Sequence, residues 1–239
     1  MMRKKIMISV FLVTMLLSSC LYSERVRGSG RSVTFNENFS DFSELDFSNA
    51  IDAVIEYGNE YEIVVSIDDN LKDYVEIEKR GDKLYLGLQD HVSYSRVDYK
   101  VHITMPFLAS IDASGASEIK ISGFKTDEDF RIDVSGATEL EGFINVGDLY
   151  LDVSGASEIE LIGSGKKLTI DGSGASEMNF GDFKVASANI ELSGASEVVV
   201  NVQEELNVDC SGASEVKYYG NPRLKNISTS GASEIKSLE

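Results

Sequence analysis

Carboxylates dominate the chemistry this sequence could perform, and they recur at fixed intervals. Asp112, Asp133, Asp152, Asp171, Glu191 and Asp209 each stand three residues before a glycine, while Glu118, Glu139, Glu158, Glu177, Glu197, Glu215 and Glu234 each stand three after one. Two rows of oxygen donors could chelate a hard cation such as calcium between repeats, with Asp133, Asp152, Glu139 and Glu158 as candidate ligands. The same rows could act only as a solvated acidic face that discourages edge pairing. Paired carboxylates also serve polysaccharide hydrolases and lyases, but those enzymes need one singular cluster of perturbed groups, and here the acids return in every unit. The sequence therefore predicts no catalytic residue and no required cofactor, with a β-helix carbohydrate-active enzyme as the alternative. His91 and His102 have no cysteine or second histidine at ligand spacing, and Cys210 falls on the apolar parity of its strand, as a small core residue would.

These acids are carried by a phrase that occurs seven times: DASGASE, DVSGATE, DVSGASE, DGSGASE, ELSGASE, DCSGASE and STSGASE. Its glycines are Gly115, Gly136, Gly155, Gly174, Gly194, Gly212 and Gly231, at steps of 21, 19, 19, 20, 18 and 19 residues. A period near 19 signals a stacked array. Apolar residues alternate on both sides of the phrase, as in Leu149, Leu151 and Val153 before it and Ile159 and Leu161 after it, which is the pattern of half-buried strands. No unit holds a helical stretch. The predicted fold is all-β, a parallel β-helix of about 19 residues per coil, with like residues stacked about 4.8 Å apart along the axis. Glycine would turn the corner, the serines would bond free turn amides, and the alanine would point inward as a ladder from Ala116 to Ala232. The stacked glutamates would repel one another and so hold their protons more tightly than in the unfolded chain.

Residues 33–107 have a different texture, with Phe35, Phe39, Phe42 and Phe47 near the start and several strand-like runs after them. Asp68-Asp69-Asn70 before Leu71 reads as a short capped helix. Terminal repeats must cover apolar edges, so this stretch is expected to form less regular coils capping residues 108–239; a separate small β domain is the other reading.

The first 19 residues pair a basic start (Arg3, Lys4, Lys5) with an apolar run from Ile6 to Leu17, too short to span a bilayer, so they read as an export signal. Leu17-Ser18-Ser19-Cys20 resembles a bacterial lipobox, in which Cys20 would be acylated and hold the protein on a membrane. Leu21 at the next position favours the outer membrane, with the leaflet left open. Residues 20–32, with their Gly28-Ser29-Gly30 core, are expected to form a flexible tether of at most about 40 Å. Arg25, Arg27 and Arg31 there could lie against lipid phosphates or simply be solvated. The chain has 239 residues, with 40 acidic and 22 basic side chains. From Cys20 onward the basic count is 19 and the net charge −21, which makes nucleic acid and other polyanions poor partners.

The segment FSELDFSNAIDAVIEYGNEYEIVVSIDDNLKDYVEIEKRGDKLYLGL, the later VHITMPFLASIDASGASEIKISG and the following SGASE copies are, together, similar to the head GIN domain family of auto-transporter adhesins, common as lipoproteins in Gram-negative bacteria. The resemblance runs from about Phe42 to the C-terminus. It implies a right-handed parallel β-helix without established enzymatic activity, a cell-envelope location, and an adhesin or binding-scaffold role toward an unidentified protein or glycan.

Overall fold

The computed structural model describes residues 24–238; the export signal and Cys20 lie outside the described residues. Each repeat forms one coil with two short faces. The leading face stacks Glu44–Phe47, Ser110–Ala113, Phe130–Val134 and Asp148–Val153 in parallel. It continues through the second halves of the long strands Glu158–Gly172, Glu177–Leu192 and Glu197–Cys210, and ends at Arg223–Thr229. The trailing face stacks Asp52–Tyr57, Glu118–Lys125 and Glu139–Asn145, then the first halves of those long strands, then Glu215–Tyr219 and Glu234–Ser237. This is the expected parallel β-solenoid. In-register stacking puts like on like: Leu45, Ile111, Ile132, Leu151, Ile170, Ile190 and Val208 make one buried column, and Ile119, Leu140, Ile159, Met178, Val198 and Val216 make another. Each such side chain contributes about 1.5–3 kcal/mol through burial.

The corner obeys two constraints at once. All seven corner glycines have positive φ, for example +95° at Gly136 and +90° at Gly155. A Cβ on Gly155 would also lie 2.3 Å from the carbonyl oxygen of Gly136, and the same approach recurs at Gly136, Gly174, Gly194 and Gly212. That closeness lets the ladder continue around the bend. The Ala156 N–H donates to Gly136 O at 2.8 Å and the Ala175 N–H to Gly155 O at 2.8 Å, with Ser154 and Glu158 bonded likewise on either side.

The inward residue of the corner is the second serine, not the alanine. Ser117, Thr138, Ser157, Ser176, Ser196 and Ser214 are buried, whereas Ala137, Ala156 and Ala175 are exposed. The expected alanine ladder is therefore replaced by a hydroxyl ladder, in which Ser157 Oγ accepts from the Thr138 N–H at 3.4 Å and Ser176 Oγ from the Ser157 N–H at 3.3 Å. A buried backbone donor that the bend leaves unpaired needs an acceptor, and a methyl cannot supply one.

An eighth corner precedes the seven. In Asp46-Phe47-Ser48-Asn49-Ala50-Ile51-Asp52, Asn49 takes the glycine position at φ +71°, and its carbonyl lies beneath Gly115 as each later one lies beneath the next glycine. Asparagine fits because the chain beneath it widens: Asn49 Oδ1 accepts the Leu88 N–H at 2.9 Å.

Beneath that first coil, Lys83–Leu88 and Tyr99–Met105 stack in parallel as one more, irregular coil. Antiparallel strands close it: Val75–Arg80 on Lys83–Leu88, and Ser32–Glu37 on Glu62–Asp68 on Tyr99–Met105. The cap thus shares one continuous sheet with the repeats instead of forming a separate domain. The expected helix is a 3-10 turn over Asp69–Tyr74 with no side-chain cap bond, because the buried Asp68 carboxylate accepts from the Gly30 N–H at 2.6 Å and the Asp98 N–H at 3.0 Å.

Those bonds also correct the tether. Glu24–Arg27 is a strand, paired in parallel with Val92–Ser95 on the widened corner of the bottom coil. The Ser29 N–H donates to Asn70 Oδ1 at 2.9 Å, and Arg31 pairs with Asp69 at 2.9 Å. Polar Gly-Ser composition marked this stretch as free chain, but its backbone groups find partners in the cap.

The corner yields a contrast that melting curves can read. Gly155→Ala should destabilise by roughly 2–4 kcal/mol, through both positive φ and the carbonyl clash. Ala156→Leu should stay within about 0.5 kcal/mol, since that side chain faces water.

Candidate functional site

The register places the acidic rows as the repeat requires. Asp46, Asp112, Asp133, Asp152, Asp171, Glu191 and Asp209 are neighbours along the leading face, and Glu118, Glu139, Glu158, Glu177, Glu197, Glu215 and Glu234 along the trailing face. Of the calcium candidates, Asp133 thus neighbours Asp152 and Glu139 neighbours Glu158, on opposite sides of a corner. Among the described residues no three histidine, cysteine or acidic side chains converge as a metal group.

Lysines interrupt the glutamate row. Lys120 bridges Glu118 and Glu141, Lys217 bridges Glu197 and Glu215, and Lys236 bridges Glu215 and Glu234, all within 3.2 Å. The Lys236 and Lys217 hydrogen bonds hold the Glu215 carboxyl below its usual range, opposite to the upward shift expected of the row. Upward shifts occur in the aspartate row, and also at Asp52 beneath Glu118, where burial and then Glu118 raise the carboxyl. Burial and then Asp112 raise Asp46, and burial followed by Asp152 and Asp112 raises Asp133.

Among the described residues no histidine or cysteine belongs to a metal-holding group. His102 Nε2 lies 3.0 Å from Glu56 on the exposed trailing face, and His91 sits at φ +69° in the widened corner of the cap. Burial pushes the Cys210 thiol up to about 11, the reverse of what a nucleophilic thiolate needs.

Two surface features of the trailing face have no counterpart in the repeat. Phe143 and Ile162 stand side by side in register, 43% and 42% exposed, with Val54 nearby. Further along, the Glu177–Leu192 strand bulges: Phe180 pairs with Val200 and Lys184 with Asn201, leaving Gly181, Asp182 and Phe183 without partners on the Glu197–Cys210 strand. The bulge opens a groove of about 720 Å³ lined by Asn179, Gly181, Asn201, Gln203, Lys217 and Tyr219, among others. The only sequence signal for it was the 20-residue step between Gly174 and Gly194. Its polar residues lie on the variable, outward positions that a search for repetition passes over.

The model of the family described as "Putative auto-transporter adhesin, head GIN domain" matches residues 41–222. The chain belongs to the head GIN domain family. Three solved structures share the fold of this head GIN domain. An adhesin-named protein of Bacteroides fragilis superposes with TM-score 0.80 at 18% identity, covering 89% of this chain and 100% of its own. A protein of Parabacteroides distasonis, named as lipid binding, gives 0.73 at 22% over 90% and 100%. An adhesin-named protein of Parabacteroides merdae gives 0.60 at 16% over 90% and 100%. No curated protein sequence matches the chain. The family and these neighbours carry adhesin or binding names and no enzyme name.

Two carboxylates, Glu205 outside the rows and Asp133 within the leading one, respond to pH with opposite signs. Arg223 and Lys225 lower Glu205 to about 2 from an ordinary value of 4.5, so its contribution is present above about 4.5 and is lost as pH falls toward 2. Glu205→Gln should therefore lower Tm at pH 7, with the difference closing below pH 4. Asp133 carries the opposite sign, since a raised value means the charged form is penalised in the fold. Asp133→Asn should raise Tm at pH 7 and give no gain below its ordinary value of 3.8, where both states are protonated.

Proposed function

We propose that this head GIN domain is a non-catalytic, adhesin-like module, held at the outer membrane through acylated Cys20 and presenting its acidic solenoid to a partner outside the cell. The observation that carries the reading is the regularity itself: carboxylates repeat along the whole stack, lysines bridge some of them on the trailing face, and among the described residues no histidine, cysteine or acidic side chains converge as a metal group. Family membership points to the same role. A stack with eight corners rises on the order of 35 Å, which suits a rod used for display.

The docked N-terminal strand bears on orientation. Only Leu21, Tyr22 and Ser23 separate Cys20 from the strand at Glu24, a reach of at most about 14 Å. An anchor there would hold the capped end close to lipid. Arg25 and Arg27 on that strand are exposed and can meet lipid phosphates, while the acidic coils point away.

Two measurements test this. Cys20→Ser should move the protein from the membrane fraction to the soluble fraction; continued detergent-only extraction of that variant would contradict the anchor. Protease added to intact cells should remove the solenoid, and full protection would place it inside the envelope, where it could not present itself to an external partner.

A further inference from the structure

The groove beside the Gly181–Phe183 bulge combines amide side chains with an exposed aromatic ring. Its volume of about 720 Å³ lies within the range of roughly 300–1,000 Å³ typical of small-molecule clefts. Gly181 forms part of its wall. A Cβ there would meet Asn179 Oδ1 at 3.3 Å and the Tyr219 ring at 3.4 Å, so any larger side chain would fill the opening.

The polar groups are held in place by one another. Asn201 Nδ2 donates to the Gly181 carbonyl at 2.9 Å, which satisfies a backbone group freed by the bulge, and Gln203 Nε2 donates to Asn201 Oδ1 at 2.7 Å. The Gly181 N–H donates to Asn179 Oδ1 at 3.0 Å. That leaves Gln203 Oε1, Asn179 Nδ2 and the Tyr219 hydroxyl for a ligand, with the two amides each oriented by one of these bonds. Tyr219 is 38% exposed and offers ring surface at the same place. The neighbouring lysine is committed, since Lys217 pairs with Glu197 at 2.5 Å and with Glu215 at 3.2 Å.

We infer that this groove binds a neutral glycan of equatorially substituted pyranose units, with one sugar face on Tyr219 and its hydroxyls on Gln203 and Asn179. Amides supply both donors and acceptors, which vicinal hydroxyls need, and an aromatic ring suits the apolar C–H face of such a sugar. Lys184 is the other cation of the lining, and against it an anionic glycan would face Asp182, Glu197 and the overall negative field. An extended peptide would need free main-chain groups, and the strands flanking the groove are already paired with one another. The inference names a ligand class for the presentation reading and rests on it.

The test titrates cellohexaose into the full chain, purified in a zwitterionic detergent, by calorimetry. Saturable binding is expected. Tyr219→Ala and Gly181→Val should each weaken it at least tenfold while leaving Tm within a few degrees, and polygalacturonate should give no binding. Absence of cellohexaose binding by the folded wild type overturns the inference, as does binding that survives both substitutions, or polygalacturonate binding as tight as that of cellohexaose. Because binding is read on purified protein, protease protection of whole cells would contradict the presentation reading without altering the result at the groove.

Discussion

The structure depends on how closely one corner carbonyl can approach the next corner. In a solenoid the backbone must keep its hydrogen bonds while it changes direction, and here it does so by bringing Gly136 O to 2.8 Å from the Ala156 nitrogen, in space a Cβ at Gly155 would occupy. Positive φ and close approach together exclude every side-chain-bearing residue from an interior corner. The consequences run outward from that point. Alanine follows on the exposed side, and the next residue must turn a hydroxyl inward to serve the amide of its neighbour. Apolar columns then form because each coil repeats the register of the one before.

The same register imposes a cost on charge. Residues that repeat in sequence stack in space, so a repeated acid becomes a row of like charges about 4.8 Å apart. The two faces handle this differently. On the trailing face Lys120, Lys217 and Lys236 sit between glutamates, whereas on the leading face neighbouring aspartates stay close, and partial desolvation together with Asp152 and Asp112 makes Asp133 bind its proton more tightly. Only at the start does Lys83 reach Asp112 and Glu44.

Repetition made most of the fold legible. The glycine spacing identified coils, and apolar alternation identified the faces, because both follow directly from strand geometry. What repetition could not settle was which small residue of Ser-Gly-Ala-Ser points inward: alternation breaks at a bend, and the answer depends on an unpaired amide at Thr138 or Ser157. The eighth corner was hidden because Asn49 replaces glycine where the coil beneath is widened. The docking of Glu24–Arg27 was hidden for a related reason, since its partners Val92–Ser95, Asp68 and Asn70 are distant in sequence and belong to no repeat. The groove around Asn201 and Tyr219 arises from a bulge, a departure from the period, and side chains that break a pattern carry little signal in one sequence.

Function follows the same division. Under the proposed function the periodic part would supply stiffness and reach, while the aperiodic parts, a docked basic strand at one end and a polar groove on one face, would carry recognition. All of this presupposes that the corners are hydrogen-bonded structure and not loops strung between strands. Amide hydrogen exchange at Ala137, Ala156, Ala175 and Ala195 tests that most directly. The account requires these corner amides to exchange as slowly as the core amides of Leu151 and Ile170, through global unfolding only. Exchange of the alanine amides at the rate of an open loop, while Leu151 and Ile170 stay protected, would contradict it.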